Sequence, residues 1–303
     1  MLKACLIGVS GYGRIHYGLL CEAREAGRVE VVGATIINPE EEAEKCVHLR
    51  GLGCRIYSDY REMLRELSGI ADLCLIPTVT SLHSSMTIDA VNAGMHVLVE
   101  KPAAGCIEDV RQMQAAAETA GRIVAVGYQY MYSPATLEVK RHILKGTIGE
   151  LVSIKGLTLW PRAHEYYDRN RWAGMLSLDG VTVNDSPFNN ALAHDLMMML
   201  FQAGASERSA AMPISVDAEL YRANAIESPD TASMLVRTAE NVSIRFYVTH
   251  ACRELTKPLI YIRGTKGSIR MSHDESVIDP DDGGTITHTT GGSPSRKHMM
   301  TSV

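Results

Sequence analysis

The chain has 303 residues, 46% of them hydrophobic and 21% charged, and a formal net charge of −5. That length favours two domains, and the acidic balance excludes a large basic field for nucleic acid or an anionic membrane surface. No apolar run is long enough to span a bilayer, and a single Lys before a short strand-like run does not read as a signal peptide. The seven cysteines, at 5, 21, 46, 54, 74, 106 and 252, form no Cys-x-x-Cys pair. That fits reduced thiols in the cytoplasm, argues against a zinc cluster and leaves no metal expected.

Leu2–Ile7 reads as a buried strand. Gly8-Val9-Ser10-Gly11-Tyr12-Gly13 follows, then a helix from Arg14 to about Ala26 and a second strand, Val29–Ile37. Strand, glycine turn, helix and strand form the context of a dinucleotide-binding fingerprint. Glycines let the backbone turn tightly against a pyrophosphate, and the helix N-terminus offers amides to the anion. Ser10 stands where the second glycine of Gly-x-Gly-x-x-Gly belongs, with Gly11 beside it, so a purely structural strand-to-helix turn fits this stretch as well.

After the second strand a dinucleotide fold offers an acid to the adenosine ribose. Here the residue is Asn38, followed by Pro39 and Glu40-Glu41-Glu42. Asn as N-cap, Pro in the first turn and acids behind it predict a helix from Glu40 to Leu52. No arginine lies beside Asn38 to receive a 2′-phosphate, and the glutamates would repel one. NAD is therefore expected over NADP, with NADP left open.

Arg55–Tyr57, Leu73–Ile76, Val97–Val99 and Ile123–Val126 read as further strands. Asp59–Leu67, Leu82–Ala93 and Ile107–Ala120 read as helices. The alternation predicts a doubly wound parallel sheet. Val97-Leu98-Val99 runs straight into Glu100-Lys101-Pro102, which sets a carboxylate and an ammonium at the carboxyl end of a strand, where such sheets bind ligands. A surface Glu-Lys pair is the alternative for these residues alone.

Beyond Gly127 the rhythm changes. Ser133–Leu144 reads as a helix and Leu151–Trp160 as a long strand. An aromatic, polar stretch runs from Pro161 to Ser186, and Asn189–Ala203 reads as one helix. Strands follow near Ile214–Arg222, Ser233–Thr238, Val242–Thr249, Leu259–Arg263 and Ser268–Met271, which predicts an antiparallel sheet. From Asp279 the composition predicts a loose tail. The expected domains are 1–128 and 129–303.

Ile76-Pro77-Thr78, His83, Ala93-Gly94-Met95-His96-Val97, Glu100-Lys101-Pro102, Gly127-Tyr128 with Pro134, and Gly146-Thr147-Ile148-Gly149-Glu150 together resemble the Gfo/Idh/MocA family of nicotinamide-dependent oxidoreductases. The resemblance covers about residues 2 to 275. It implies a Rossmann domain followed by an α/β domain with an open, mostly antiparallel sheet. It implies that Gly8, Ser10, Gly11, Tyr12, Gly13 and Arg14 cradle the pyrophosphate, that Asn38 lies at the adenosine ribose, and that Pro77, Thr78 and His83 line the cofactor groove. Glu100 is expected at the nicotinamide ribose and Lys101 at the reacting carbon. Lys101-Pro102 is a candidate cis peptide.

The family's Asp-x-x-x-His appears here as Asn190 and His194. On one continuous helix a spacing of four puts both on one face. Alone, a His on a Leu/Met helix reads as a core residue; the resemblance makes His194 functional. Lys101 and His194 are expected to share acid/base work, and Asn190, which cannot titrate, to orient the substrate. Asp185 and Asp195 are candidates to supply the missing charge. Arg162, Tyr166, Tyr167, Trp172 and Asn189 are expected to join Lys101, Asn190 and His194 around a polyhydroxylated or carboxylated small molecule, since rings stack on sugar faces and forked donors bind carboxylates. A packed surface loop or an oligomer contact is the alternative for this stretch.

The function expected is hydride transfer between NAD and a hydroxyl carbon of a sugar or cyclitol. The rivals are a lyase or glycosidase that uses tightly held NAD for transient oxidation, and an NAD-binding regulator without turnover. The resemblance implies a homodimer or homotetramer through the open sheet face. Relatives continue beyond this length, so the chain is expected either to be truncated at Val303 or to have its sheet completed by a partner.

Overall fold

The structure, a computed structural model, describes residues 1–272, 275–289 and Met299. The chain forms two compact units, one of Met1–Gly127 with Val181–Val183 and one of Tyr128–Gly180 with the residues from Asn184 onward.

The first unit is a six-stranded parallel sheet of β1 (Leu2–Ile7), β2 (Val29–Thr35), β3 (Arg55–Tyr57), β4 (Leu73–Ile76), β5 (His96–Val99) and β6 (Val124–Val126). The spatial order is β3-β2-β1-β4-β5-β6, the doubly wound arrangement whose ligand crevice opens at the strands' carboxyl ends. Its helices are α1 (Gly13–Glu25), α2 (Ala43–Gly51), α3 (Tyr60–Glu66), α4 (Thr80–Asn92) and α5 (Ile107–Ala120). The central strands read as continuous apolar runs because helices cover both faces. Cys74, Leu75, Ile76, Val97, Leu98 and Val99 are all fully buried.

Two details depart from the sequence expectation. β2 stops at Thr35, and residues 39–42 form turns, so α2 starts at Ala43 and Asn38 is not its N-cap. The reason is local. The Asn38 side chain is taken by Ser10 and by Glu41 Oε2, the latter at 2.7 Å, and does not cap helix amides.

The second unit carries α6 (Pro134–Leu144), β7 (Leu151–Leu159), a short α7 (His164–Asp168) and the two-residue strand β8 (Ser177–Leu178); the two-residue strand β9 (Val181–Thr182), after an Asp179-Gly180 turn, is counted with the first unit. Then come α8 (Ala193–Ala203) and the strands β10 (Pro213–Tyr221), β11 (Thr231–Thr238), β12 (Ser243–Thr249), β13 (Thr256–Gly264), β14 (Gly267–Met271), β15 (Glu275–Pro280) and β16 (Ile286–Thr289). Eight of these strands form one sheet in the order β10-β11-β12-β7-β13-β14-β15-β16. All neighbours are antiparallel except β12 and β7, which run parallel. One face packs on α6 and α8 around Val139, Ile154, Met198, Met199, Phe246 and Ile262. Fully buried Lys140 ties α6 to the end of α8 by donating to the carbonyls of Phe201, Gly204 and Ser209.

Two expectations fail here. The tail expected to be loose from Asp279 contains the end of β15 and all of β16, because backbone pairing onto β14 carries polar residues that side-chain patterning passes over; residues 290–298 and 300–303 lie outside the described residues. The single helix expected over Asn189–Ala203 is a π-helical turn, Pro187–Ala191, broken at Leu192 from α8. Leu192 donates to the carbonyl of Pro187, five residues back. Among the described residues no helix is long and apolar enough to cross a membrane.

Candidate functional site

The glycine turn joins β1 to α1. Gly8 and Gly11 hold φ of +90° and +53°, values that suit glycine. A Cβ on Gly13 would lie 2.5 Å from the Gly8 carbonyl oxygen and 3.6 Å from Pro77, so the first turn of α1 sits directly on the strand end only because Gly13 has no side chain. Gly8 faces Thr78. The structure therefore brings Gly8, Gly13, Pro77 and Thr78 together, with Ser10, Gly11, Tyr12 and Arg14 exposed on the outside of the turn. Ser10 reaches Asn38, which joins the turn to the end of β2. Glu41 lies against Asn38, and Lys45 and Ser10 hold the Glu42 carboxyl below the ordinary range. Two carboxyl groups, those of Glu41 and Glu42, thus lie at this corner.

At the end of β5, Glu100 is 6% exposed, yet both of its oxygens are engaged. Oε1 meets Nε2 of buried His16 at 2.9 Å, and Oε2 accepts from the Lys101 amide at 3.1 Å. A Cβ on Gly127 would lie 2.8 Å from Oε1, so the end of β6 leaves space for this carboxylate only as glycine. The Lys101-Pro102 peptide is cis. His83, 1% exposed, lies under it, with Nδ1 2.8 Å from the Pro102 carbonyl and Nε2 3.0 Å from that of Thr78. Burial lowers the His83 pKa, against the pull of the two carbonyls and of Glu100.

In the second unit, Asn190 lies in the π-helical turn and His194 in the first turn of α8. The break at Leu192 separates them, so the shared face of one regular helix expected for the pair is absent. Such π turns cluster at functional sites. The Asn190 amide donates to Asp185 Oδ1 at 2.7 Å, while Asp185 Oδ2 accepts from the Gly174 amide at 2.8 Å. His194 is bracketed edge-on by Tyr128 and Tyr130, with ring centroids 5.9 and 5.0 Å away. Asp195 is buried and accepts from Thr158, which ties α8 to the sheet. Of the two acids considered for the missing charge, Asp185 reaches Asn190 and Asp195 is taken by the core.

The aromatic stretch is interlocked by cations. Arg162 lies 4.8 Å from the Trp160 ring centroid and 4.3 Å from that of Tyr166; Arg169 lies between Tyr166 and Trp172. Asn189 donates to the Asn184 carbonyl and so secures its own loop. Tyr166, Tyr167, Asp185, Ser186, Pro187, Ile226, Pro229 and His250 line a small recess. Inside this wall the Tyr167 hydroxyl and His250 Nε2 are buried with no hydrogen-bond partner among the described residues. Burial, helped by the charge of Arg162, takes the His250 pKa down to about 4, and burial raises that of Tyr167 to about 12. Both groups are neutral at pH 7.

Sequence reasoning misses His16, Gly127 as the space for Glu100, Tyr130 and His250, for a physical reason. His16 is an interior helix position 84 residues from its partner, and His250 sits at the end of an ordinary alternating strand. No local pattern marks either.

A doubly wound sheet with a glycine turn at β1 and an acid-lysine-proline terminus at β5, followed by an open sheet with a polar recess, is the architecture of a dinucleotide-dependent oxidoreductase. Two family models agree. Residues 2–128 match the one described as "Oxidoreductase family, NAD-binding Rossmann fold", and residues 136–270 match the "GFO/IDH/MocA C-terminal domain". The chain belongs to the Gfo/Idh/MocA oxidoreductase family. It is similar to scyllo-inositol 2-dehydrogenase (NAD(+)) of Bacillus subtilis, 28% identical over 157 residues, 52% of this chain and 44% of that protein. The chain spans less than half the length of the curated relatives it matches. Among solved structures, the WlbA dehydrogenase of Bordetella pertussis in complex with NADH and UDP-GlcNAcA is 27% identical, with a TM-score of 0.76 over 99% of this chain and 82% of that one. An NAD binding oxidoreductase from Klebsiella pneumoniae, 21% identical, shares the fold, with a TM-score of 0.82 over 99% of this chain and 88% of that one.

Proposed function

We propose that the protein is an NAD-dependent dehydrogenase that oxidises a secondary hydroxyl of a sugar or cyclitol. The observation that carries this reading is the end of β5, where Glu100 is clamped by His16 and the Lys101 amide and the Lys101-Pro102 loop is held by His83. The inositol dehydrogenases among its relatives support the substrate class.

The residues fit the cofactor. The turn is a cradle that a Cβ at Gly13 would close, and its outer residues are exposed to receive a pyrophosphate. Gly8, Ser10, Gly11, Tyr12, Gly13 and Arg14 would hold the pyrophosphate, Asn38 the adenosine ribose, and Glu100 the second ribose. The carboxylates of Glu41 and Glu42 beside Ser10 and Asn38 would repel a 2′-phosphate, so NAD is favoured over NADP. Pro77 and Thr78 form the floor against the turn. His83 is a positioning residue, since both its nitrogens are spent on backbone carbonyls.

When bound, NAD would supply the hydride acceptor for the carbinol carbon. Lys101 takes the hydroxyl proton and releases it to water, leaving a ketone. A lysine acts as a base in its neutral form. His194 hydrogen-bonds the reacting hydroxyl, held edge-on by its two tyrosines. Asn190 orients the substrate from the π-helical turn, and Asp185 behind it supplies the charge that a titratable acid would carry. The Tyr167 hydroxyl and His250 Nε2 receive further substrate hydroxyls, with Tyr166, Arg162 and Trp172 as the surrounding wall.

The open face of the large sheet supports a homo-oligomer. Asp217 and Glu219 lie along its β10 edge, Leu157, Leu259 and Tyr261 alternate outward on the inner strands, and Arg245, Lys155 and Arg263 surround them. A second copy related by a two-fold axis would set the acidic edge against the basic strands. Light scattering should give an even multiple of the chain mass; a monomer would refute it. Seven free cysteines support a reducing compartment, the cytoplasm.

The test is to denature the purified protein, identify any released cofactor by mass and absorbance, and then assay inositols and pyranoses with added NAD. Exchangeable NAD and net NADH support the dehydrogenase. Tightly retained NAD with no net NADH overturns it in favour of transient oxidation or a regulator.

A further inference from the structure

We propose that Glu138, His142 and His288 form a binding site for a divalent cation of the zinc class, which staples strand β16 to helix α6. One ligand atom from each of the three lies within 4.8 Å of the other two. Glu138 and His142 are four apart on α6, so both project from one face of the helix. His288 comes from β16, where it shares the half-buried side of the strand with Ile286, two residues away, and Ile286 packs against the core.

The hydrogen bonds leave the right atoms for a metal. His142 Nδ1 is 3.1 Å from Thr147 Oγ1; in the tautomer in which Nδ1 donates to that hydroxyl, Nε2 presents a lone pair toward Glu138. That nitrogen is 3.6 Å from Glu138 Oε1. In that tautomer a cation between the two acceptors would satisfy both. Oε2 of the same carboxylate is taken by Arg141 at 2.8 Å, which orients the group and leaves Oε1 for the site. His288 Nε2 is buried with no hydrogen-bond partner among the described residues, and its ring centroid is 5.6 Å from that of His142. An ordered second hydrogen bond on a ligating histidine is the usual support of a zinc site.

Two imidazoles and one carboxylate are a donor set that suits zinc, with a fourth position left for water. The cluster lies wholly in the second unit and uses none of the residues assigned to NAD or substrate. The staple has a use where it stands. β15 and β16 form the edge of the sheet, and the outward positions of β16 are the polar residues Thr287 and Thr289. A metal bond from β16 to α6 would anchor an edge that apolar packing anchors weakly.

The probe is zinc chloride, titrated by equilibrium dialysis into tag-free, chelator-stripped full chain, with the melting temperature followed in parallel. The expected result is one saturable zinc per chain and a rise in melting temperature of roughly 5–10 °C at about a hundredfold excess over Kd. H288A and E138Q should each weaken zinc by at least about tenfold and remove the rise. E138Q preserves shape, so a fold defect in H288A would not hide the answer. No saturable binding, or equal binding in wild type and E138Q as free thiols would give, overturns the site.

Discussion

The side-chain amide of Asn190 donates to Oδ1 of Asp185 at 2.7 Å, and the other oxygen of that carboxylate holds the Gly174 amide. A carboxyl group thus lies one hydrogen bond from position 190, just ahead of the π-helical turn.

This pairing predicts a charge swap. N190D would set two carboxylates in contact, and one would have to protonate. We expect N190D and D185N each to lower kcat/KM about tenfold, and the D185N/N190D double variant to recover to within about threefold of wild type. Steady-state kinetics on all four proteins close the cycle. Losses that simply add would show that Asp185 does not act through residue 190.

The space left at Gly127 predicts a conditional effect. G127A would put a methyl 2.8 Å from Glu100 Oε1 and push the carboxylate off His16. NAD affinity, measured by calorimetry, should fall about tenfold, equal to about 1.4 kcal/mol. In an E100A background the same substitution should change affinity by less than about twofold, because the oxygen it displaces is gone. An equal loss in both backgrounds would assign the effect to the β6 backbone.

Lys101 and His194 are expected to act on turnover more than on cofactor binding. K101A should lose roughly 100- to 10,000-fold in kcat, the range for a removed general base, with NAD affinity within about threefold of wild type. H194A should lower kcat and raise KM for the substrate. A K101A protein that turns over normally would remove the base assignment.

His250 predicts acid sensitivity. Its pKa falls from 6.5 to about 4 on folding, chiefly by burial. The unfolded chain therefore binds the proton first as pH drops, and stability is lost between pH 6.5 and 4. The full contribution is about 3 kcal/mol. Urea melts of H250Q should show a flatter pH dependence across that window than wild type.

The doubly wound half was legible because its central strands are uninterrupted apolar runs, and glycines such as Gly94 and Gly121, both at positive φ, stop the helices. Glu100, Lys101 and the glycine turn stood out because short motifs at strand ends carry them. The π-helical turn did not: Leu192 is flanked by Ala191 and Ala193, good helix formers, and the turn is seen only in the structure, where Leu192 donates to Pro187 five residues back and Asn190 pairs with Asp185 ahead of it. β16 was hidden because Thr287, His288 and Thr289 are polar, and only pairing to β15 makes them a strand. His16 and His250 were hidden because their partners are distant in sequence.

The central claim is net oxidation of a sugar or cyclitol hydroxyl at the expense of NAD. The most direct measurement is NADH absorbance on a panel of inositols and pyranoses, with wild type and K101A run side by side and the ketone product quantified by mass. The account predicts that at least one polyol gives NADH and ketone in equal amounts with wild type, and that K101A gives almost none. Substrate consumed with no net NADH, or equal rates in the two proteins, would contradict it.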